Sequence, residues 1–167
     1  MLDNFKKDYE RYKRTEFTHA GYLKSLFSDA LRYTLFGRLS VEWGGKLISK
    51  RMGQKMGNEI DFSHIGAGVI LKHPYGITVN PRAILGENVT LFKGCTIGAV
   101  RGEGVPVIGN NVVVCSNARV CGNISIGNDV LIAAGAFVNF DVPDHSVVIG
   151  NPGIIHHKEN ATVEYKC

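Results

Sequence analysis

From Ile108 to Val138 the chain reads IGNNVVVCSNARVCGNISIGNDVLIAAGAFV, and the aliphatic residues Ile108, Val114, Val120, Ile126, Ile132 and Val138 recur every six residues without a break. A period of six matches neither the 3.6 of a helix nor the two of a simple strand. Self-similarity at a short fixed period marks a solenoid, and hexapeptide repeats mark a parallel β-helix. Each hexapeptide supplies one short strand and one turn, so three of them close a triangular coil. The aliphatic residue points into the prism, where its burial supplies most of the stability. Small residues four places on, such as Ala118 and Ala136, fit where the chain turns a corner.

The same step continues upstream. The solenoid begins near Ile60; Ile65, Leu71 and Ile77 keep the interval, a two-residue insertion around Pro81-Arg82 follows, and Leu85, Leu91 and Ile97 resume it. From Ile97 to Ile108 the step is eleven, five too many, and the excess is the glycine-rich, charged loop from Ala99 to Pro106. Insertions leave a solenoid through its turns and commonly build the binding face, so a site is expected there. After Val138, Pro143 and Pro152 stop regular coiling, and the polar tail from Lys158 to Cys167 is expected to be a loose end.

Residues 1–57 read as helical. Asp3 to Arg14 is mostly charged with Phe5, Tyr9 and Tyr12 interspersed, and Tyr22, Leu23, Leu26, Phe27, Ala30, Leu31, Leu35 and Phe36 keep amphipathic helical spacing. A second helix is expected through Trp43, Leu47, Ile48 and Met52, its edges weakened by Gly44, Gly45 and Gly53. The chain thus divides into a helical N-terminal cap (1–57), a β-helix (58–155) and a C-terminal tail (156–167).

The cap carries 12 Lys and Arg against 6 Asp and Glu, the remainder 7 against 9. A basic helical face is either solvated or meets an anionic surface. The cap is expected to cover the open end of the solenoid or to pack on another subunit, with membrane contact at most peripheral. No apolar signal core opens the chain and no window approaches the roughly 18 apolar residues of a membrane span, so a cytoplasmic location is expected. Cys95, Cys115, Cys121 and Cys167 show no CxxC spacing, and Cys115 and Cys121 occupy equivalent places on successive faces. They read as small residues near turns rather than a disulfide or metal site, and neither a metal nor a nucleic-acid partner is expected.

His73, in LKHPYG, lies two places after the inward Leu71, an offset that points its side chain outward. With Leu91 stacked over Leu71, Lys93 falls beside His73 on the neighbouring coil, about 4.8 Å away. An ammonium there favours the neutral imidazole, which can accept a proton as a general base must. An ordinary surface histidine is the alternative.

The repeats, the segment IGAGVILKHPYGITVNPRAILGENVTLFKGCTIG, the loop ending GVPVIGN and the close IAAGAFVNFDVPDHSVVIGNP together resemble the hexapeptide-repeat acyltransferases. Within them the likeness is to serine acetyltransferase and its relatives that O-acetylate sugars in surface-polysaccharide synthesis. It covers about residues 58–153, and DYERY and LRYTLFGRL in the helical front also resemble short forms of this branch. The resemblance implies a left-handed parallel β-helix assembled as a homotrimer, or a dimer of trimers, with acetyl-CoA in the groove between subunits. It makes His73 the catalytic histidine that takes the proton from the acceptor hydroxyl. Glu59, in NEIDFS, falls near the aspartate that orients this histidine, in a stretch read as one residue shorter than in the family, with Asp61 as the competing carboxylate. The N–H of Ala99 matches a position at the thioester, able to stabilise an oxyanion. Ser116 and Ala134 match positions that bond the pantetheine arm.

The departures bear on the acceptor. Where serine acetyltransferases have an aspartate before the histidine and an Arg-His pair ending the loop, this chain has Lys72 and Gly104-Val105. An uncharged hydroxyl needs no such clamp, so a sugar of a surface polysaccharide or its precursor is the expected acceptor, with L-serine, in cysteine biosynthesis, the alternative. Asn139-Phe140 stands where related enzymes often have Thr-Lys on the CoA phosphates; His156, His157 and Lys158 are the cationic candidates to replace it. A zinc-dependent carbonic anhydrase would need three converging histidines, and only His64 and His73 lie in the region. Cys95 as an acyl-carrying nucleophile has no histidine near it in sequence. A noncatalytic scaffold is the alternative from another class.

Overall fold

A computed structural model of the chain describes residues 2–43, 46–101 and 104–165. Gly44, Gly45, Gly102, Glu103, Cys167 and the side chain of Trp43, on which parts of the reading above fall, lie outside the described residues.

The repeats build three parallel sheets, one per face of a prism. The first holds Glu59–Ile60, Thr78–Val79, Thr96–Gly98, Arg119–Cys121 and Phe137–Val138; the second Ile84–Leu85, Val107–Ile108 and Ser125–Ile126. The third holds Ile70–Lys72, Thr90–Phe92, Val113–Val114, Val130–Ile132 and Ser146–Ile149, with Ile154–His157 added antiparallel at its end. Ile108 pairs with Ile126, Val114 with Ile132 and Val120 with Val138, so a coil takes eighteen residues, three hexapeptides. All six of these side chains are buried, each contributing roughly 1.5–3 kcal/mol of apolar transfer.

The two-residue insertion lies elsewhere than expected. Leu71 pairs with Leu91 and Ile65 bridges Leu85, twenty residues apart in each case, but Val79 pairs with Ile97. From Val79 to Leu85 is a normal six, so Pro81-Arg82 is an ordinary corner and the extra pair is His73-Pro74. Ile77 then takes the corner place that Cys95 fills one coil on, where Thr78 N–H donates to the Cys95 carbonyl at 3.0 Å. Both Ile77 and Val79 are aliphatic and buried, so periodicity could not choose between them.

The cap consists of α1 (Leu2–Lys13), α2 (His19–Ser25), α3 (Asp29–Trp43) and α4 (Lys46–Met56). The apolar run from Tyr22 to Phe36 is therefore two helices rather than one. The break leaves Leu23 and Phe27 exposed while Leu31 and Leu35 are buried. Trp43 ends α3 instead of sharing a helix with Leu47, and Leu47 and Ile48 are exposed while Met52 and Met56 meet the solenoid core. At Gly37 the α3 backbone approaches so closely that a Cβ would collide with the Phe62 ring, and Tyr33 stands edge-on to the same ring at 5.8 Å.

Polar bonds fix α1 and α3 to the first coil. The Arg11 guanidinium donates to the Gly68 carbonyl at 2.6 Å, and Arg38 donates to the carbonyls of Ile65 at 2.5 Å and Gly66 at 2.6 Å. Asp8, buried beside Arg38, accepts from its Nε at 2.9 Å and Nη2 at 3.2 Å, and from the Val69 N–H at 2.8 Å. Among the described residues no helix is long and apolar enough to cross a membrane.

The tail is not a loose end over the described residues. Ala161 and Thr162 are buried, and Asp129 accepts from both their N–H groups, at 3.0 and 3.1 Å, and from the Thr162 hydroxyl at 2.7 Å. His145 Nδ1 lies 3.0 Å from the same carboxylate and 3.4 Å from Glu159. Burial pushes Asp129 up, but the Thr162 hydroxyl, His145 and the two N–H groups outweigh it and hold the carboxyl at about 2. The bond to Asp129 raises His145 above its ordinary 6.5. A lowered carboxyl stabilises above its ordinary 3.8 and is lost toward its folded value; a raised imidazole stabilises fully below 6.5 and is lost as pH climbs through its folded value. Amide exchange at Ala161 and Thr162, corrected for intrinsic rates, is therefore slowest between about pH 4 and 6.5 and quickens on either side. Exchange that does not quicken as the pH rises above 6.5 would detach His145 from the docking.

Candidate active site

The inserted pair throws His73 outward at the corner between the third and first faces. His73 adopts φ +51°, a left-handed conformation that costs a non-glycine residue about 1–3 kcal/mol and persists only where its surroundings impose it. Asn58 imposes it here. Buried just before the first strand, it donates from Nδ2 to the Pro74 carbonyl at 2.7 Å and accepts the Ile77 N–H on Oδ1 at 2.8 Å, spanning the corner from within. Inside the bulge the Tyr75 N–H donates to the His73 carbonyl at 2.7 Å. The imidazole itself is exposed.

Below this corner the coils stack in strict order. Lys93 N–H donates to the Lys72 carbonyl at 3.1 Å, Asn117 N–H to Lys93 at 3.1 Å, and Gly135 N–H to Ser116 at 2.9 Å. Lys93, Ser116 and Ala134 thus stand one below another on the edge that His73 heads, so the structure brings together three of the residues expected from sequence and the lysine beside them. The edge is open: at Gly135 a Cβ would meet nothing within 4 Å. An extended chain could lie along it against backbone. Ala99 is apart from this edge, following Thr96–Gly98 at the opposite end of the first face. From that corner the loop departs; its far end is pinned at Gly104, φ +53°, where a Cβ would collide with the Asn123 side chain.

Glu59 opens the first face, exposed and level with Thr78. Among the described residues no hydrogen bond or ion pair joins it to His73. Glu59, Asp61 and Lys50 line both a groove of ≈ 470 Å³ over the first face and an adjoining one of ≈ 300 Å³ beneath α3 and α4. Asp61 caps the short 3-10 turn Phe62–His64, accepting from the Ser63 N–H at 2.9 Å and from its hydroxyl. His64 is held at 3.0 Å by the Pro81 carbonyl. The Lys72 ammonium does not face the acceptor side of His73: it lies 5.6 Å above the Tyr12 ring of α1, within cation–π range. Cys95 is fully buried at a corner, and burial pushes its thiol up to about 12, which makes it a poor nucleophile at neutral pH. His157 and Lys158 pair with Glu159 and Glu164, at 3.5 and 3.9 Å.

Sequence reading missed Asn58, whose partners lie 16 and 19 residues away in the chain. Its position in Asn58-Glu59-Ile60, immediately before the first inward aliphatic, is the one local signal that could have raised it.

Residues 106–139 match the family described as bacterial transferase hexapeptide (six repeats). Over 150 residues the chain is 36% identical to the serine acetyltransferase of Staphylococcus aureus strain Mu50, covering 87% of this chain and 70% of that one. It is 35% identical over 105 residues to the serine acetyltransferase of Synechococcus elongatus, covering 61% of this chain and 43% of that one. The chain thus spans less than half the length of this cyanobacterial relative, and 34% of serine acetyltransferase 2 of Arabidopsis thaliana. The crystal structure of Neisseria gonorrhoeae serine acetyltransferase superposes with a TM-score of 0.79 at 28% identity, over 93% of this chain and 66% of that one.

Proposed function

Because the chain belongs to the hexapeptide-repeat acyltransferases, in their serine acetyltransferase-like branch, we propose that it transfers the acetyl group of acetyl-CoA to a hydroxyl. The observation that carries this reading is the edge: an outward histidine on an imposed left-handed bulge, above Lys93, Ser116 and Ala134 in successive coils. The thioester arm lies along Ser116 and Ala134, with its carbonyl beneath His73. Neutral His73 takes the acceptor's proton as the hydroxyl oxygen attacks the carbonyl carbon, and an N–H donor stabilises the oxyanion. Ala99, at the far end of the first face, can fill that role only when it is presented by a neighbouring copy. As the tetrahedral species collapses the C–S bond breaks, and the departing sulfur takes the proton back from the imidazolium. Glu59, the exposed carboxylate at the head of the first face, supports that imidazolium. An exposed base on an open edge needs a second wall, which a neighbouring copy in a homotrimer would supply.

Two observations bear on the acceptor. L-serine is favoured by the relatives' names and by the groove shared by Lys50, Glu59 and Asp61, which offers both signs of charge to a zwitterion. Lys72, which from sequence spoke against serine, is drawn away over Tyr12. The sugar reading keeps the support of Gly104-Val105, which provide no cation for a carboxylate.

Free-CoA release from acetyl-CoA, measured side by side with L-serine and with free and nucleotide-linked sugars, decides between them. Serine-dependent release is the expected result. Release with a sugar alone would transfer the assignment to the second reading. Silence with every acceptor, together with no acetyl-CoA binding by calorimetry, would make the chain a scaffold.

A further inference from the structure

The docked tail does more than end the chain. Beyond Thr162 it carries Tyr165 back onto the third face, where the ring meets Phe92 edge-on at 6.1 Å and 86° and the phenol lies beside the Cys115 thiol. Phe92 directly precedes Lys93, and Cys115 directly precedes Ser116, so the ring spans two adjacent coils one residue short of the edge that His73 heads. Tyr165 is only half-buried, so part of it faces outward beside that edge. Ordering a polar tail costs conformational entropy, and the three hydrogen bonds that Asp129 accepts from Ala161 and Thr162, far from the repeats' own ladder, help to offset it. An aromatic ring with one polar tip, set beside that edge, suits a binding wall for a mixed amide and aliphatic chain.

We propose that Tyr165 is a binding residue for the thioester donor: the strap of residues 158–165, anchored by Asp129, sets its ring as a side wall against which the pantetheine arm packs beside Ser116. This rests on the reading that acetyl-CoA lies along the Lys93–Ser116–Ala134 edge.

The test uses the full chain and CoA itself. Calorimetry of CoA binding and steady-state kinetics are run on the wild type, Tyr165→Ala, Tyr165→Phe and Asp129→Asn, with thiol labelling of Cys115 located by mass spectrometry. Tyr165→Ala is expected to weaken CoA about tenfold and to raise the KM for acetyl-CoA likewise, with kcat within about twofold of wild type. Tyr165→Phe, which keeps the ring, retains most of the affinity. Asp129→Asn releases the strap, so Cys115 labels faster and CoA weakens as with Tyr165→Ala. If Asp129→Asn or Tyr165→Ala exposes Cys115 while CoA binds as in the wild type, Tyr165 is not part of the donor site and the proposal fails. If the wild type itself binds no CoA, the donor reading falls first and takes this one with it.

Discussion

Replacement of His73 by alanine or asparagine lowers turnover by about 10²–10⁴-fold, the usual weight of a positioned general base, while circular dichroism and assembly stay as in the wild type. The residue is exposed and packs nothing essential, so the loss belongs to chemistry rather than folding. Asparagine is the sharper variant, because it tolerates the left-handed φ of +51° and keeps the bulge while removing the imidazole. Near-normal turnover in either variant would remove His73 from the reaction. Asn58→Ala leaves His73 in place but orphans the Pro74 carbonyl and the Ile77 N–H, each a buried group that costs about 1–3 kcal/mol unpaired. It lowers kcat with little change in the KM for acetyl-CoA, because the base loses its aim and the donor edge stays intact.

Asp8→Ala costs about 3–5 kcal/mol of stability in denaturant titration, the characteristic loss when one partner of a buried ion pair is removed. Asp8 and Arg38 are both buried, and between them they bind the first coil to the cap: the carboxylate holds the Val69 N–H while the guanidinium holds the Ile65 and Gly66 carbonyls. Without Asp8 the guanidinium keeps two carbonyl partners but loses the only carboxylate that it meets among the described residues. The double replacement Asp8→Leu with Arg38→Met is expected to recover part of that loss, since no lone charge remains, although the two carbonyls and the Val69 N–H stay unsatisfied. A cost below about 1 kcal/mol for Asp8→Ala would place the pair among surface ion pairs in energetic weight, against its burial.

The aliphatic step of six by itself determined the solenoid and, apart from Ile77, its inward residues, because burial is specified residue by residue and repeats in register; the outward direction of His73 comes from the inserted pair. The resemblance carried by those same residues supplied the reaction class. Only the tertiary structure decided where the extra pair sits, because Ile77 and Val79 satisfy the core equally and the ladder between neighbouring coils alone distinguishes them. It also decided that Asn58 holds the bulge, that Lys72 turns to Tyr12, and that the tail docks on Asp129. Each of those interactions joins groups from 16 to about 60 residues apart through single directional bonds or ring contacts, which leave no period in the chain. Hydrophobic burial is periodic and local enough to be read from sequence; a directional contact between distant residues exists only once the coils have stacked.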